Sequence, residues 1–191
     1  MSSTLLVRPW PSRRMAIACW VACALVVVAV FVNGGFAELA AYGPVALAGA
    51  ALAWAVFWEP HVRVDADGVD LANVWRTVTI PWGALESVDT RWGLRLVTTT
   101  KRYSSWAVPA RSRYRRPRPD EPTPDLLDLP PETGQTVSAN SEEVGRVIET
   151  RLLAGAGGGE TATVTARANA RSIGLVLGSA ALAASTIALF G

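Results

Sequence analysis

The chain has 191 residues, half of them hydrophobic, with a mean hydropathy of +0.26 and a net charge of +2. That is more apolar side chain than one soluble core of this size needs, and the excess belongs in lipid. A charge balance this mild argues against a nucleic-acid partner, and the eight tryptophans are spread along the chain instead of interleaved with Lys and Arg as in a base-stacking platform.

Residues 1–14 read as an N-terminal arm carrying Arg8, Arg13 and Arg14, and Met15 to Val32 follow without a charge. At about 1.5 Å per residue the run is roughly 27 Å long, enough for a thin hydrocarbon core. A secretory signal peptide shows the same order of basic and apolar residues. Here, however, the run is long, no convincing small-x-small cleavage site follows Val32, and a second apolar run comes almost at once. A retained helix is the better reading. Cys19 and Cys23 lie in it one helical turn apart with no His or acidic ligand beside them, so neither a disulfide nor a metal site is expected.

Asn33, Gly34 and Gly35 break that helix, and the link to Tyr42 holds one charge, Glu38. Gly43 and Pro44 open a second apolar run ending at Trp58, with Pro44 expected in the first turn, where its missing N–H is harmless. The expectation is a transmembrane hairpin over residues 15–58, with spans at 15–32 and 42–58. Trp10, Trp54 and Trp58 would share one water interface, and the arginines at that end, against none in the link, assign it to the cytoplasm.

Residues 59–109 change rhythm. Val62 and Val64 alternate with Arg63 and Asp65, Val69 and Leu71 with Asp70, Val78 and Ile80 with Thr79, Leu94 and Leu96 with Arg95, and Trp106 and Val108 with Ala107. This period predicts strands with one dry face. Asp67-Gly68 fits a two-residue hairpin turn at positive φ, and Pro81-Trp82-Gly83-Ala84 fits a short turn or helical kink after a strand that Pro81 ends. Six short antiparallel strands result, pointing to a barrel or sandwich.

Residues 110–138 are rich in Pro, Arg, Asp and Glu, a composition that cannot offset its own ordering entropy. Arg111, Arg113, Arg115, Arg116 and Arg118 crowd into this insertion as a candidate contact with an anionic membrane surface; a solvated tail, its arginines offset by the acidic residues that follow, is the equal alternative. In residues 139–154 Asn140 and Glu143 suit a helix start, and Val144, Val147, Ile148 and Leu152 share one face. Residues 155–171 read as a linker. Residues 172–190 form a third candidate span, in which Gly174 and Gly178 take the GxxxG spacing of close helix packing.

Chemistry is poorly represented. His61 is the sole histidine and has no nucleophile to activate. Glycines 155 and 157–159 lack the Lys of a phosphate loop. Asp120, Glu121, Asp125 and Asp128 fall in the insertion, where nothing fixes their separation. No catalytic residue, metal site or cofactor is expected.

The run Val62-Arg63-Val64-Asp65-Ala66-Asp67-Gly68-Val69, followed by Trp75 to Ile80 and then Pro81-Trp82-Gly83-Ala84-Leu85-Glu86-Ser87-Val88, resembles the bacterial pleckstrin-homology (PH)-like domains carried on transmembrane hairpins in actinobacterial proteins. The resemblance implies short antiparallel strands closed by one C-terminal amphipathic helix. Six strands are counted here against that fold's usual seven. Eukaryotic PH domains hold phosphoinositide head groups in a basic pocket at the first hairpin. Asp65, Asp67 and Asp70 occupy that place here and would repel a phosphate, while the D-x-D-G run lacks the later ligands of a calcium loop. The resulting expectation is a non-catalytic, multi-pass plasma-membrane protein whose N-terminus and PH-like domain are cytoplasmic and whose C-terminus lies outside. It would contact membrane lipids and a protein partner. The alternative is a small structural subunit assembled through its helices.

Overall fold

In a computed structural model of the protein, the described residues are 4–8, 10–108, 136–137, 141–156 and 163–190. In chain order they form β1 (Leu5–Val7), α1 (Trp10–Ala53, prolonged by a π-helical turn, Trp54–Trp58), β2 (His61–Val64), β3 (Gly68–Ala72) and β4 (Arg76–Pro81). A 3-10 turn at Trp82–Ala84 leads to β5 (Leu85–Asp89), β6 (Arg95–Thr98) and β7 (Arg102–Ser104). Then come β8 (Thr136–Val137), α2 (Ser141–Arg151, followed by a π-helical turn, Leu152–Ala156), β9 (Thr165–Ala168) and α3 (Ala170–Phe190). The chain divides into two compact units, Met1–Pro9 with His61–Ala168, and Trp10–Pro60 with Asn169–Gly191.

The first unit holds the strands. Valines and leucines at every second position give β2, β3 and β4 one dry face, and β1 adds Leu5 and Val7 to it. These strands form a six-stranded sheet in the order β8-β1-β2-β3-β4-β9, antiparallel except between β1 and β8. β5, β6 and β7 make a separate antiparallel sheet. Between them lies a core that Val144, Val147 and Ile148 of α2 help to fill, the face expected from their spacing, with Leu152 half-buried beside it.

Several expectations change. Three strands fall in segments read as irregular: β1 in the N-terminal arm, β8 in the insertion and β9 in the linker. Of the barrel or sandwich expected, a closed barrel does not form, because the second neighbour of β4 is β9 and not β5. Gly68 does not adopt positive φ; among the described residues only Gly35 and Gly93 do. Gly68 is required because a Cβ there would strike the Ile80 carbonyl of β4. The sixth strand stops at Ser104, and the bend after it buries Ala107 and Val108 while leaving Trp106 exposed, so the alternation read there fails. Asn140 lies outside the described residues, and Gly155 lies within the π-helical turn.

The second unit is helical. α1 is two arms joined at Gly35, whose φ of 61° and ψ of −153° only glycine adopts readily. The arms run antiparallel: the Trp20 indole N–H donates to the Ala50 carbonyl at 3.1 Å, and Gly49 sits against Cys23. The link expected at 33–41 is helical except at Gly35, and Pro44 lies inside the second arm instead of at its start. α3 packs on α1 through a face that buries Ser172 and Ala183. At one end of the unit Arg13 stacks over Trp58 at 4.8 Å and Arg171 over Trp54 at 5.2 Å. Elsewhere the helices are apolar and exposed, as at Leu25, Val32, Phe36, Leu47 and Leu177. Trp10–Trp58 and Ala170–Leu189 are long and apolar enough to cross a membrane.

Candidate functional site

The β2–β3 hairpin carries Asp65, Asp67 and Asp70, the three carboxylates of the sequence motif. Its turn is closed by Asp65, whose backbone N–H donates to the Gly68 carbonyl at 3.0 Å and whose Oδ1 accepts from the N–H groups of Asp67 and Gly68, each at 3.0 Å. This is the self-capping that makes aspartate a turn residue. Oδ2 lies 3.4 Å from Nε of Arg63. The turn is fixed from below by Trp82, which is 3% exposed. Its indole N–H donates to the Asp65 carbonyl at 3.2 Å, and its backbone N–H to the Asp67 carbonyl at 3.3 Å. The two halves of the resembling motif, D-x-D-G and P-W, therefore meet in space.

This geometry leaves the turn little chemistry. The Asp65 carboxylate is occupied by two amides and a guanidinium, and Asp67 adds an exposed negative charge. Asp70 is not part of the turn but sits on β3 opposite Arg63. At the end of α2, Nη1 of Arg151 donates to the Val64 carbonyl at 3.4 Å. Burial pulls this guanidinium below its ordinary pKa, and the nearby Asp65 carboxylate opposes the shift. These contacts hold the hairpin in register.

Other expected positions are scattered. Arg111, Arg113, Arg115, Arg116 and Arg118 lie outside the described residues, as do Asp120, Glu121, Asp125 and Asp128. Gly174 and Gly178 face open space, a Cβ on either meeting nothing within 4 Å, so the close intramolecular approach expected at that spacing is not made there. His61 begins β2 opposite Ala72, half-buried. Among the described residues, no group of three or more His, Cys, Asp or Glu side chains is placed to hold a metal ion.

A surface feature escaped the sequence reading. Trp75, Trp92 and Trp106 are 53%, 71% and 64% exposed, and all three lie in bends at one end of the unit. Trp75 is in the β3–β4 turn and Trp92 in the β5–β6 turn. Asn73 ties Trp106 to the first of these, its Oδ1 accepting from the Trp106 N–H at 2.7 Å while its Nδ2 donates to the Ser104 carbonyl at 3.0 Å. Arg95 lies opposite Ser104 and Asp89 opposite Arg95, which brings the Trp92 turn to the same end. The available signal was tryptophan beside arginine in turn positions, Trp75-Arg76 and Arg91-Trp92.

Residues 59–120 match the sequence model of the bacterial PH domain family. No curated protein and no solved structure matches the chain.

Proposed function

With residues 59–120 carrying a bacterial PH-like domain, we propose that the chain is a non-catalytic integral membrane protein that presents this domain at the inner face of the plasma membrane for interaction with a protein. One observation carries the reading: strands before and after the apolar helices share a sheet. β1 precedes the hairpin and β2 follows it, yet Leu5, Leu6 and Val7 pair with Val64, Arg63 and Val62. A segment that leaves a sheet and returns to it from within a bilayer must cross an even number of times, and two arms joined at Gly35 suit two such crossings. Nor does a signal peptide fit, since its cleavage would remove β1 from the sheet. The exposed apolar surface of the helices distinguishes them from the buried core helices of a soluble protein.

By the positive-inside rule, Arg8, Arg13 and Arg14 support a cytoplasmic location for the sheet-bearing unit. α3 leaves from β9 of the same sheet and crosses once, carrying the C-terminus outside. For a protein partner, strand addition suits the edge at β9, whose four residues are all exposed. The Arg111 to Arg118 cluster adds an electrostatic hold on anionic lipid.

A second reading, a structural subunit assembled through its helices, is favoured by the open space beside Gly174 and Gly178, the GxxxG spacing that lets helices approach closely. The test is alkaline carbonate extraction of native membranes combined with reporter fusions after residues 109 and 191. Retention in the pellet, with the first reporter active only inside and the second only outside, is expected. Release by carbonate, or an external first reporter, would overturn the proposal. Capture of the same partners by the helices without the PH-like unit would favour the second reading.

A further inference from the structure

We infer that Trp75, Trp92 and Trp106 form a lipid-contacting rim, entering the headgroup layer of the bilayer in which the apolar helices sit. The inference rests on the membrane-spanning reading above and adds to it a specific surface.

The strand register identifies which end of the unit this is. In the large sheet Val7 pairs with Val62, His61 with Ala72, and Arg76 with Ala168, so the β3–β4 turn lies at the end where β1 stops, β2 starts and β9 stops. At each of those points the chain passes to or from an apolar helix through a short connection: Arg8-Pro9, Glu59-Pro60 and Asn169. A residue spans at most about 3.6 Å, so none of these connections reaches much beyond 10 Å. Each connection therefore tethers this end of the sheet to the end of an apolar helix by no more than that length of chain. The Asp65–Gly68 turn, with buried Trp82, lies at the opposite end, about five strand residues or ~17 Å away.

The side chains at the near end suit an interface. Among the described residues of this unit, four large hydrophobic side chains are exposed, and three of them are these tryptophans. Indole rings favour the headgroup level, where the ring is sheltered and the N–H is solvated. Arg76 and Arg91 stand beside Trp75 and Trp92, within reach of phosphates. Asp89, Glu142 and Glu143 belong to the same end: Asp89 faces Arg95 across β5–β6, and the Ser141 hydroxyl beside the glutamates donates to the Thr90 carbonyl at 3.2 Å. The rim is thus mixed in charge, and its attachment depends on the rings more than on counter-charge, with weak sensitivity to salt. Docked this way, the unit turns its Asp65–Gly68 end to the aqueous side.

The test uses the full chain with Cys19→Ala and Cys23→Ala, carrying one cysteine by Trp75→Cys, Trp92→Cys or Trp106→Cys, or by Ala66→Cys in the exposed far turn as reference. Each is labelled with an environment-sensitive fluorophore and reconstituted in phosphatidylcholine–phosphatidylglycerol vesicles containing a headgroup-spin-labelled lipid. Rim labels should emit further to the blue than the Ala66 label and be quenched several-fold more strongly, and the difference should survive about 1 M salt, where the Debye length is ~3 Å. Quenching no stronger than at Ala66 overturns the rim. Blue emission without lipid quenching also overturns it, because protein, either the 109–135 segment or a second copy, then covers the rings. Carbonate extraction of the same samples separates the two claims. A retained protein with unquenched rim labels defeats the rim alone, whereas an extracted protein defeats the membrane-spanning reading as well.

Discussion

Replacing Trp82 tests whether the hairpin and the P-W segment are one structural unit. The ring is 3% exposed and its N–H supports the Asp65 carbonyl at 3.2 Å. Trp82→Phe keeps most of the apolar contact and removes that donor, a loss of about 1–2 kcal/mol. For a domain of this size each kcal/mol moves Tm by about 4–8 °C, so a fall of roughly 5–15 °C is expected. Trp82→Ala adds a cavity and costs about 3–5 kcal/mol. Trp75→Phe, at an exposed bend, should stay within ~0.5 kcal/mol. Thermal unfolding of the full chain in detergent micelles, followed by near-ultraviolet circular dichroism, measures all three. If Trp82→Phe melts with Trp75→Phe, the indole hydrogen bond does not hold the turn and the reasoning fails.

Related substitutions probe the same corner. Gly68→Ala should destabilise by about 1–3 kcal/mol through collision with the Ile80 carbonyl, measured by the same melt; an unchanged Tm would mean that β3 and β4 are not so close. Asp65→Ala strands the amides of Asp67 and Gly68 and should cost about 1–2 kcal/mol. Asp65→Asn keeps an acceptor oxygen and should cost less than half as much, so equal losses would assign the effect to charge instead of to the turn.

The parts of the fold that were legible in the sequence are those where burial is one-sided and the side chains are large. Val62, Val64, Val69, Leu71, Val78 and Ile80 alternate because one face of their sheet is dry, and Val144, Val147 and Ile148 recur at helical spacing because one stripe of α2 is dry. β1 was hidden by its length, three residues ahead of an apolar run long enough to dominate any window. β9 was hidden by its position: an edge strand with four exposed residues, Thr165-Ala166-Arg167-Ala168, has no hydrophobic alternation to display. The bend at Trp106 reversed the expected faces because Asn73 captures its N–H from another turn, a contact across more than thirty residues that no local pattern encodes. The tryptophan rim was equally hidden, because its members come from three separate bends that only strand register brings together.

The central claim is that a single sheet is woven from segments on both sides of the apolar helices. Leu6 and Arg63 are direct partners across β1 and β2 on the face away from the core, and Cα atoms so placed lie about 4.5–5.5 Å apart, within disulfide range. In the full chain lacking Cys19 and Cys23, Leu6→Cys with Arg63→Cys should therefore form an intramolecular disulfide in native membranes under mild oxidation, seen as a non-reducing gel shift. Leu6→Cys with Thr99→Cys should not. Equal cross-linking of the two pairs, or none in either, would contradict the shared sheet and the topology drawn from it.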